Sequence, residues 1–501
     1  MEQTTFDFYQ TEKKIYEQKD INDVSFSHNH VASEEERQKL EEKYAPLLVE
    51  TEKFSRKLVS YQGNKTETLH SWIKYREGFS ADLVEKFFNE FDIKPGQKVL
   101  DPFAGSCTTL LVAKTLGIDS IGIELLPHCH LAWKMKSNVD QYNIVEVDEL
   151  ILDIQNHDTQ ETNLSFGHLT ITESAFPKEN EKDLLSYIEF EQCFNGNEKL
   201  RTLYKAALMN ILEDISYTRK DGQYLRWDSR AKKIIDRNKI RVSRGQKPIK
   251  GIDKGEIPSV KELLVKNLQK IRNDIKELQK KDFPESSHKL LEGNTLHILP
   301  TLGENQFDIV ITSPPYANRY DYTRTYALEL AYLDVGDGIF DYRQEMLSCT
   351  VENKAKYPDI EKTYQSVNRH ADYEKVIKII DTTAALNEVI KALQLRQKRG
   401  EINNKNVIPM IEQYFGELAF VFFELFRTSK KGARVVFVND NVRYAGEAIP
   451  VDLISTELAQ KIGFSPEKIY VLPHRKGNSS QQMKKFGRRE LRKSITVWKK
   501  E

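Results

Sequence analysis

The sequence predicts an α/β protein: a mainly parallel sheet with a mostly helical region inserted into it. Two stretches and the interval between them predict this. The strand Lys98-Val99-Leu100 runs into Asp101-Pro102-Phe103-Ala104-Gly105-Ser106-Cys107-Thr108-Thr109. A helix Leu110–Leu116 follows, closed by Gly117, and then a strand Ser120–Ile123 that ends in Glu124. The same rhythm returns at Lys289-Leu290-Leu291, continues through the apolar run Phe307–Ile311, and ends with strands Lys468–Leu472 and Ser494–Trp498. Residues 151–288 lose the alternation. Strands and helices that alternate at this spacing imply a mainly parallel sheet.

Residues 1–50 read as a loose polar arm followed by a surface helix in the charged run Glu34–Lys43. Within 51–150, Leu83, Val84, Phe87 and Phe88 share one helical face and Ser80 can cap its start. Lys94-Pro95-Gly96 ends that helix and leads into the first strand. The strand–turn–helix–strand unit has a small-residue turn and an acid about twenty positions on, an arrangement that binds a nucleoside-containing cofactor in a Rossmann-like sheet. Small residues let the backbone approach the ligand, the helix start offers free N–H groups, and the Glu124 carboxylate can accept both ribose hydroxyls. The turn is not GxGxxG, so an adenosine with an amino-acid tail fits better than a dinucleotide.

Twelve Lys/Arg stand against three Asp/Glu from Tyr217 to Lys250, with Tyr217, Gly222, Tyr224, Trp227 and Gly245 among them. A solvated charged face is the plain interpretation; contact with a phosphate backbone is the favoured one, through Arg219, Lys220, Arg226, Arg230, Lys232 and Lys233. Leu264, Leu268, Ile271, Ile275 and Leu278 then mark the packing stripe of a long helix over Val260–Lys281.

In 289–330 the strand Phe307–Ile311 meets Thr312-Ser313-Pro314-Pro315-Tyr316. Two prolines cannot continue a sheet ladder, so the turn projects from the strand's carboxyl end, where open α/β sheets bind ligands. A stiff turn with fixed acceptors and an aromatic ring suits a flat polar group. Residues 331–405 read as a helical insertion. Residues 406–501 close the sheet with a helix Ile408–Arg427, a strand Arg434–Val438, a helix near Asp452–Ile462 and the two last strands, with a C-terminal hairpin as a possible antiparallel edge. His474–Arg492 reads as a Gly/Ser/Gln/Lys/Arg-rich loop.

The 501 residues allow two or three domains, and a formal net charge of zero excludes a global field that draws in nucleic acid, so any basic surface is local. Four scattered cysteines without a CxxC pair speak for a reducing compartment and against a zinc site. The start of the chain has no signal-peptide h-region and no stretch reaches the roughly 20 apolar residues of a membrane span, so a cytoplasmic location, no membrane and no metal are expected.

Taken together, these motifs resemble the S-adenosylmethionine-dependent amino-methyltransferases of DNA. Asp101–Thr109 is similar to the family's cofactor motif DPFxGSGT, with Cys107 in place of the usual glycine, so a slightly different local turn is expected. Thr312–Tyr316 is similar to its catalytic motif [DNS]PP[YFW], and Trp72–Leu83 resembles the helix that precedes the cofactor motif and helps close the methionine pocket. The resemblance implies S-adenosylmethionine held by Phe79, Asp101, Phe103, Ala104, Gly105, Ser106, Thr108, Glu124 and Asn294, the last near the adenine. It implies catalysis by Ser313, Pro314, Pro315 and Tyr316. The insertion would be a target-recognition region and double-stranded DNA the substrate, with a cognate restriction endonuclease as a possible partner.

A base's exocyclic amine is a poor nucleophile because its lone pair is delocalised into the ring. Acceptors at Ser313 and Pro314 favour a pyramidal nitrogen in the transition state, Tyr316 stacks on the base, and the base is flipped out of the duplex. Serine in the first motif position leans, within the family, towards cytosine N4, with adenine N6 the alternative. Further alternatives are an RNA guanine-N2 methyltransferase, an inert DNA-binding relative and a dehydrogenase-type binder. The absence of a Pro-Cys dipeptide argues against methylation at a ring carbon.

Overall fold

A computed structural model describes residues 25–51, 53–221, 224–473, 483–487 and 489–501. Much of the expected N-terminal arm, and most of the loop His474–Arg492, lie outside the described residues. The strands in chain order are β1 (Leu48–Glu50), β2 (Lys98–Asp101), β3 (Asp119–Glu124), β4 (Thr218–Asp221), β5 (Tyr224–Trp227), β6 (His288–Glu292), β7 (Phe307–Thr312), β8 (Ser429–Asp440), β9 (Val442–Tyr444), β10 (Glu447–Ile449), β11 (Phe464–Val471) and β12 (Lys493–Lys500). The first nine helices are α1 (Glu35–Tyr44), α2 (Ala81–Glu90), α3 (Thr108–Thr115), α4 (Pro127–Ser137), α5 (Ile144–Asn156), α6 (Lys178–Gln192), α7 (Glu198–Ile211), α8 (Lys232–Ser243) and α9 (Val260–Leu278). The chain forms two compact units, Met1–Val59 with Leu299–Ala317 and Ala355–Glu501, and Ser60–Ile298 with Asn318–Lys354. The sequence segments 289–330 and 331–405 therefore each divide between units.

In the first unit five strands run in the order β1-β11-β12-β8-β7, parallel at β1–β11 and β8–β7 and antiparallel at β11–β12 and β12–β8. The C-terminal hairpin β11–β12 is antiparallel, as the sequence suggested, but it is not the edge, because β1 pairs outside β11 and β12 lies between β11 and β8. Ile495, Val497 and Trp498 are fully buried, as are Ser494 and Thr496, so β12 is covered on both faces. The helix Val407–Thr428 buries most of its residues, among them most of its apolar side chains. α1 departs from the expected surface helix. It buries Arg37, Leu40 and Tyr44, and Arg37 reaches Glu388 at 2.9 Å and Glu447 at 3.2 Å.

In the second unit β2, β3 and β6 form a fully parallel set in the order β2-β3-β6. The inserted region is mostly helical, as the sequence indicates. α9 buries Val260, Leu264, Leu268, Ile271, Ile275 and Leu278 and packs on α5 and α7. The antiparallel hairpin β4–β5 is an addition to the sequence expectation. The Trp72–Leu83 stretch is α-helical only from Ala81, after a 3-10 turn over His70–Trp72. Ser80 is the N-cap, in extended geometry with its hydroxyl accepting from the Leu83 N–H at 3.4 Å, which prevents the helix from extending backwards. No helix among the described residues is long and apolar enough to cross a membrane.

Candidate active site

The loop after β2 is built by its own small residues. Asp101 is buried. Its carboxylate accepts the Phe103 N–H at 3.2 Å and the Thr109 hydroxyl at 2.8 Å, which ties both ends of the loop to the strand. Ala104 N–H donates to the Ile123 carbonyl at 3.0 Å. Gly105 sits at φ +51°, and a Cβ there would lie 2.7 Å from the Tyr75 ring, so both conformation and space demand glycine. Cys107, at φ +64°, keeps the left-handed turn that glycine adopts freely, at a strain of about 1 kcal/mol. Ser106 is buried, and its carbonyl accepts from Lys136 Nζ at 3.4 Å.

Glu124 does more than end β3. Its carboxylate accepts N–H groups from Gly105 at 2.7 Å and from Leu125 and Leu126 at 2.8 Å each. Burial pushes its carboxyl above the ordinary range, and the N–H groups of Leu126, Gly105 and Leu125 work against that shift. A carboxylate offers about four acceptor positions, so three protein donors leave room for about one more. The Glu124 carbonyl takes the Gly293 N–H at 3.0 Å, and the Thr295 hydroxyl donates to the Pro102 carbonyl. These bonds bring Asn294 to the loop. Its Oδ1 accepts the Leu296 N–H at 3.0 Å, whereas Nδ2 is buried with no hydrogen-bond partner. Phe79 is buried, and its carbonyl is held at 3.0 Å by Asn64 Nδ2, which also reaches Thr108 Oγ1 at 3.4 Å. The nine cofactor-binding candidates thus gather in the second unit. A glycine-tight loop, an acid with one acceptor position left and an orphaned amide donor fit an adenosine carrying an amino-acid tail.

An aromatic wall beside this loop was missed by the sequence reading. Tyr75 stacks on Tyr326 at 5.3 Å between ring centres, and Tyr326 stacks on His128 at 4.4 Å. The hydroxyls of Tyr320 and Tyr326 donate to the two oxygens of Glu77. Burial raises the Glu77 carboxyl, against those two hydrogen bonds. The legible signal was the close spacing of Tyr320, Tyr322 and Tyr326.

In the first unit, β7 is an uninterrupted buried run except at Asp308, and the two prolines stop its ladder. Pro314 is buried; Ser313, Pro315 and Tyr316 are partly exposed. Ser313 Oγ donates to Tyr316 Oη at 3.1 Å, so the serine hydroxyl keeps its lone pairs free. Tyr444 donates to the Ala317 carbonyl at 2.7 Å and anchors the far end of the turn. Lys493 Nζ lies 5.4 Å from the centre of the Tyr316 ring and 3.2 Å from Asp440.

The basic stretch does not present all of its cations. Lys220 is buried, ion-paired with Glu329 and 4.5 Å from the Tyr326 ring centre, so its charge is used inside the protein rather than offered to a phosphate. Arg230 pairs with Asp228 at 2.8 Å, Arg226 with Asp221 at 2.5 Å and Lys232 with Asp236 at 2.6 Å. Lys233 donates to the Thr170 carbonyl at 2.6 Å. Arg219 is exposed and faces Arg226 across the hairpin. α8 buries only Ile234 and exposes Arg237 and Lys239, followed by exposed Arg244; Ile235, Ile240 and Val242 stand exposed among them.

A family model described as DNA methylase, of the N6/N4 type, matches residues 3–134. The chain is 53% identical over 478 residues to the type II methyltransferase M.BsoBI of Geobacillus stearothermophilus, spanning 95% of this chain and 94% of that one. It is 40% identical over 473 residues to the type II methyltransferase M.AvaI of a Nostoc strain, and to M.AvaI of Anabaena variabilis, spanning 92% of both chains in each case.

Proposed function

We propose cytosine N4 as the methylated atom for this chain, which belongs to the N4/N6 family of type II DNA methyltransferases. S-adenosylmethionine is its methyl donor and supplies an electrophilic methyl group when bound. The donor's residues are Phe79, Asp101, Phe103, Ala104, Gly105, Ser106, Thr108, Glu124 and Asn294. Asn294 Nδ2 offers its unused hydrogen bond to an adenine ring nitrogen, and Glu124 spends its remaining acceptor position on a ribose hydroxyl.

One observation supports the assignment to an amine held at the Ser313 turn. The Ser313 hydroxyl proton is committed to Tyr316, so the oxygen can only accept from an incoming N–H. Together with the Pro314 carbonyl it draws the amine towards a pyramidal nitrogen, a stabilisation that grows towards the transition state. Tyr316 stacks on the flipped base. Serine at this motif position leans, within the family, towards cytosine, and that leaning supports N4 over adenine N6. DNA lies against the β4–β5 hairpin and α8, where Arg219, Arg226, Arg230, Lys232 and Lys233 line the basic side. A restriction endonuclease acting on the same site is the partner this reading implies.

The test incubates the protein with methyl-labelled S-adenosylmethionine and genomic DNA, digests the DNA to nucleosides and identifies the labelled one by mass. N4-methylcytosine is the expected product. N6-methyladenine would overturn the base assignment, and label in RNA alone would overturn the substrate.

A further inference from the structure

Lys220 belongs to the basic stretch but turns inwards. β4 alternates buried and exposed residues, so Arg219 and Asp221 face out while Thr218 and Lys220 face in. Inside, the Lys220 ammonium pairs with Glu329 and lies 4.5 Å from the centre of the Tyr326 ring. The lysine and the tyrosine are 2% and 1% exposed, so solvent screens the cation–ring contact little. The main chain of Lys220 is fixed as well. Its N–H donates to Glu213 Oε1 at 2.9 Å, and its carbonyl accepts from the Arg76 guanidinium, which also donates to Glu213 Oε1 at 2.7 Å. The Arg76 N–H in turn donates to the Tyr326 hydroxyl at 3.0 Å, and that hydroxyl donates to Glu77. Lys220 thus reaches Tyr326 through its side chain and, by way of Arg76, through its backbone.

From Tyr326 the cofactor loop is one ring away. Tyr326 stacks on Tyr75, with 5.3 Å between ring centres and 14° between the planes. Tyr75 closes on Gly105 so tightly that a Cβ there would lie 2.7 Å from a ring carbon. Gly105 is the loop residue whose N–H the Glu124 carboxylate accepts at 2.7 Å. Tyr326 therefore backs the Tyr75 ring, and that ring sets where Gly105 can lie.

We propose that Lys220 is a positioning residue for S-adenosylmethionine: held by Glu329, it fixes Tyr326 and, through it, the Tyr75 ring against Gly105 of the cofactor loop. This rests on the assignment of the cofactor to the Asp101–Thr109 loop, and it gives a role to a side chain that the basic stretch marks as a DNA contact. A buried ion pair does not outdo apolar side chains of the same volume in stability. What it supplies here is a ring held in one place.

The test measures calorimetric binding of S-adenosylmethionine and methyl transfer to genomic DNA with the full chain. It compares Lys220→Met, Lys220→Met/Glu329→Gln, Tyr326→Leu, Lys220→Met/Tyr326→Leu and Gly105→Ala. Lys220→Met is expected to raise Kd and KM for the cofactor by roughly 5- to 30-fold, the span of a lost buried cation–π contact, with kcat at saturating cofactor and KM for DNA retained. Lys220→Met/Glu329→Gln leaves no unpaired buried carboxylate, shows the same cofactor shift and serves if the single variant folds poorly. Tyr326→Leu weakens the cofactor at least as much. Adding Lys220→Met to it costs no more than about a further twofold, because the lysine acts through the ring. An unchanged cofactor Kd in Lys220→Met/Glu329→Gln, multiplying losses in Lys220→Met/Tyr326→Leu, or a change confined to KM for DNA would each overturn the positioning role. Gly105→Ala separates that role from the reading beneath it. An unchanged cofactor Kd in Gly105→Ala would overturn the assignment of the loop; a weakened one beside an unchanged Lys220→Met/Glu329→Gln would keep the loop and remove the lysine alone.

Discussion

The Gly105 N–H donates to the Glu124 carboxylate at 2.7 Å, so the tip of the cofactor loop and the acid at the end of the neighbouring strand act as one element. Replacing the acid therefore damages the loop as well as any ribose contact. Glu124→Gln is the sharpest version: one oxygen becomes an NH2, which must face either Gly105 N–H or the pair at Leu125 and Leu126. A buried unsatisfied donor costs about 1–3 kcal/mol, and cofactor affinity is expected to fall by roughly 10-fold or more. Calorimetric titration with S-adenosylmethionine checks it; an affinity equal to the parent protein's would show that the carboxylate is dispensable to the loop.

Lys136 makes a second demand on the same loop. It is buried against the Ser106 carbonyl, and burial pulls its pKa down to about 8, with Cys107 and Cys129 working the other way. The unfolded value is about 10.4. The native state therefore binds fewer protons than the unfolded chain between pH 8 and 10.4, and stability from this group rises with pH across that window. Below pH 8 the buried charge destabilises by up to about 3 kcal/mol. Lys136→Met is expected to be more stable than the parent at pH 7, with the gap closing between pH 8 and 10. Urea unfolding at pH 7 and pH 9.5 measures both, and a gap independent of pH would mean that Lys136 carries no buried charge.

The parts of the fold that the sequence reveals are those whose cause is local. Phe307–Ile311 followed by two prolines can only be a strand that stops, and Asp101–Thr109 carries its own turn chemistry in Gly105 and Ser106. The burial of Lys220 is not local. Its partner Glu329 lies 109 residues on, and nothing in the run of cations near Arg219 distinguishes the one that turns inwards. The stacking of Tyr75, Tyr326 and His128 is likewise made by chain folding, not by spacing. The C-terminal hairpin has no local mark of its neighbours; only the pairing of β1 with β11 and of β8 with β12 places it inside the sheet.

The division of the basic stretch into used and exposed cations gives a salt-dependence test. Arg237, Lys239 and Arg244 are exposed on and just after α8. Each phosphate contact contributes about −0.9 to the slope of log K against log salt. Changing all three to glutamine is expected to make the slope shallower by about 2–3, whereas Lys220→Gln should leave it unchanged and lower stability instead. Fluorescence anisotropy with duplex DNA over a salt series measures the slopes. Equal slopes for the triple variant and the parent would remove α8 from the DNA-facing surface.

Glu447 stands where segments far apart in the chain converge. It accepts from Ser27 Oγ at 2.8 Å, Arg37 Nη1 at 3.2 Å and Arg396 Nε at 2.7 Å, and it is fully buried, as is Arg37. Arg37 and Glu447 are 410 residues apart in sequence, so this one carboxylate fixes α1 to the β9–β10 hairpin. Removing one member of a buried ionic group leaves uncompensated charge, at a cost of about 3–5 kcal/mol. Glu447→Ala is expected to destabilise by that amount. Glu447→Gln should fall short of it, because an amide oxygen still accepts from one arginine. Arg37 retains Glu388 and Arg396 retains Glu401 in either variant, so the loss stays below complete unfolding. Guanidinium melts of the two variants decide it. A loss under about 1 kcal/mol for alanine would mean that water enters and solvates the arginines once the carboxylate is gone.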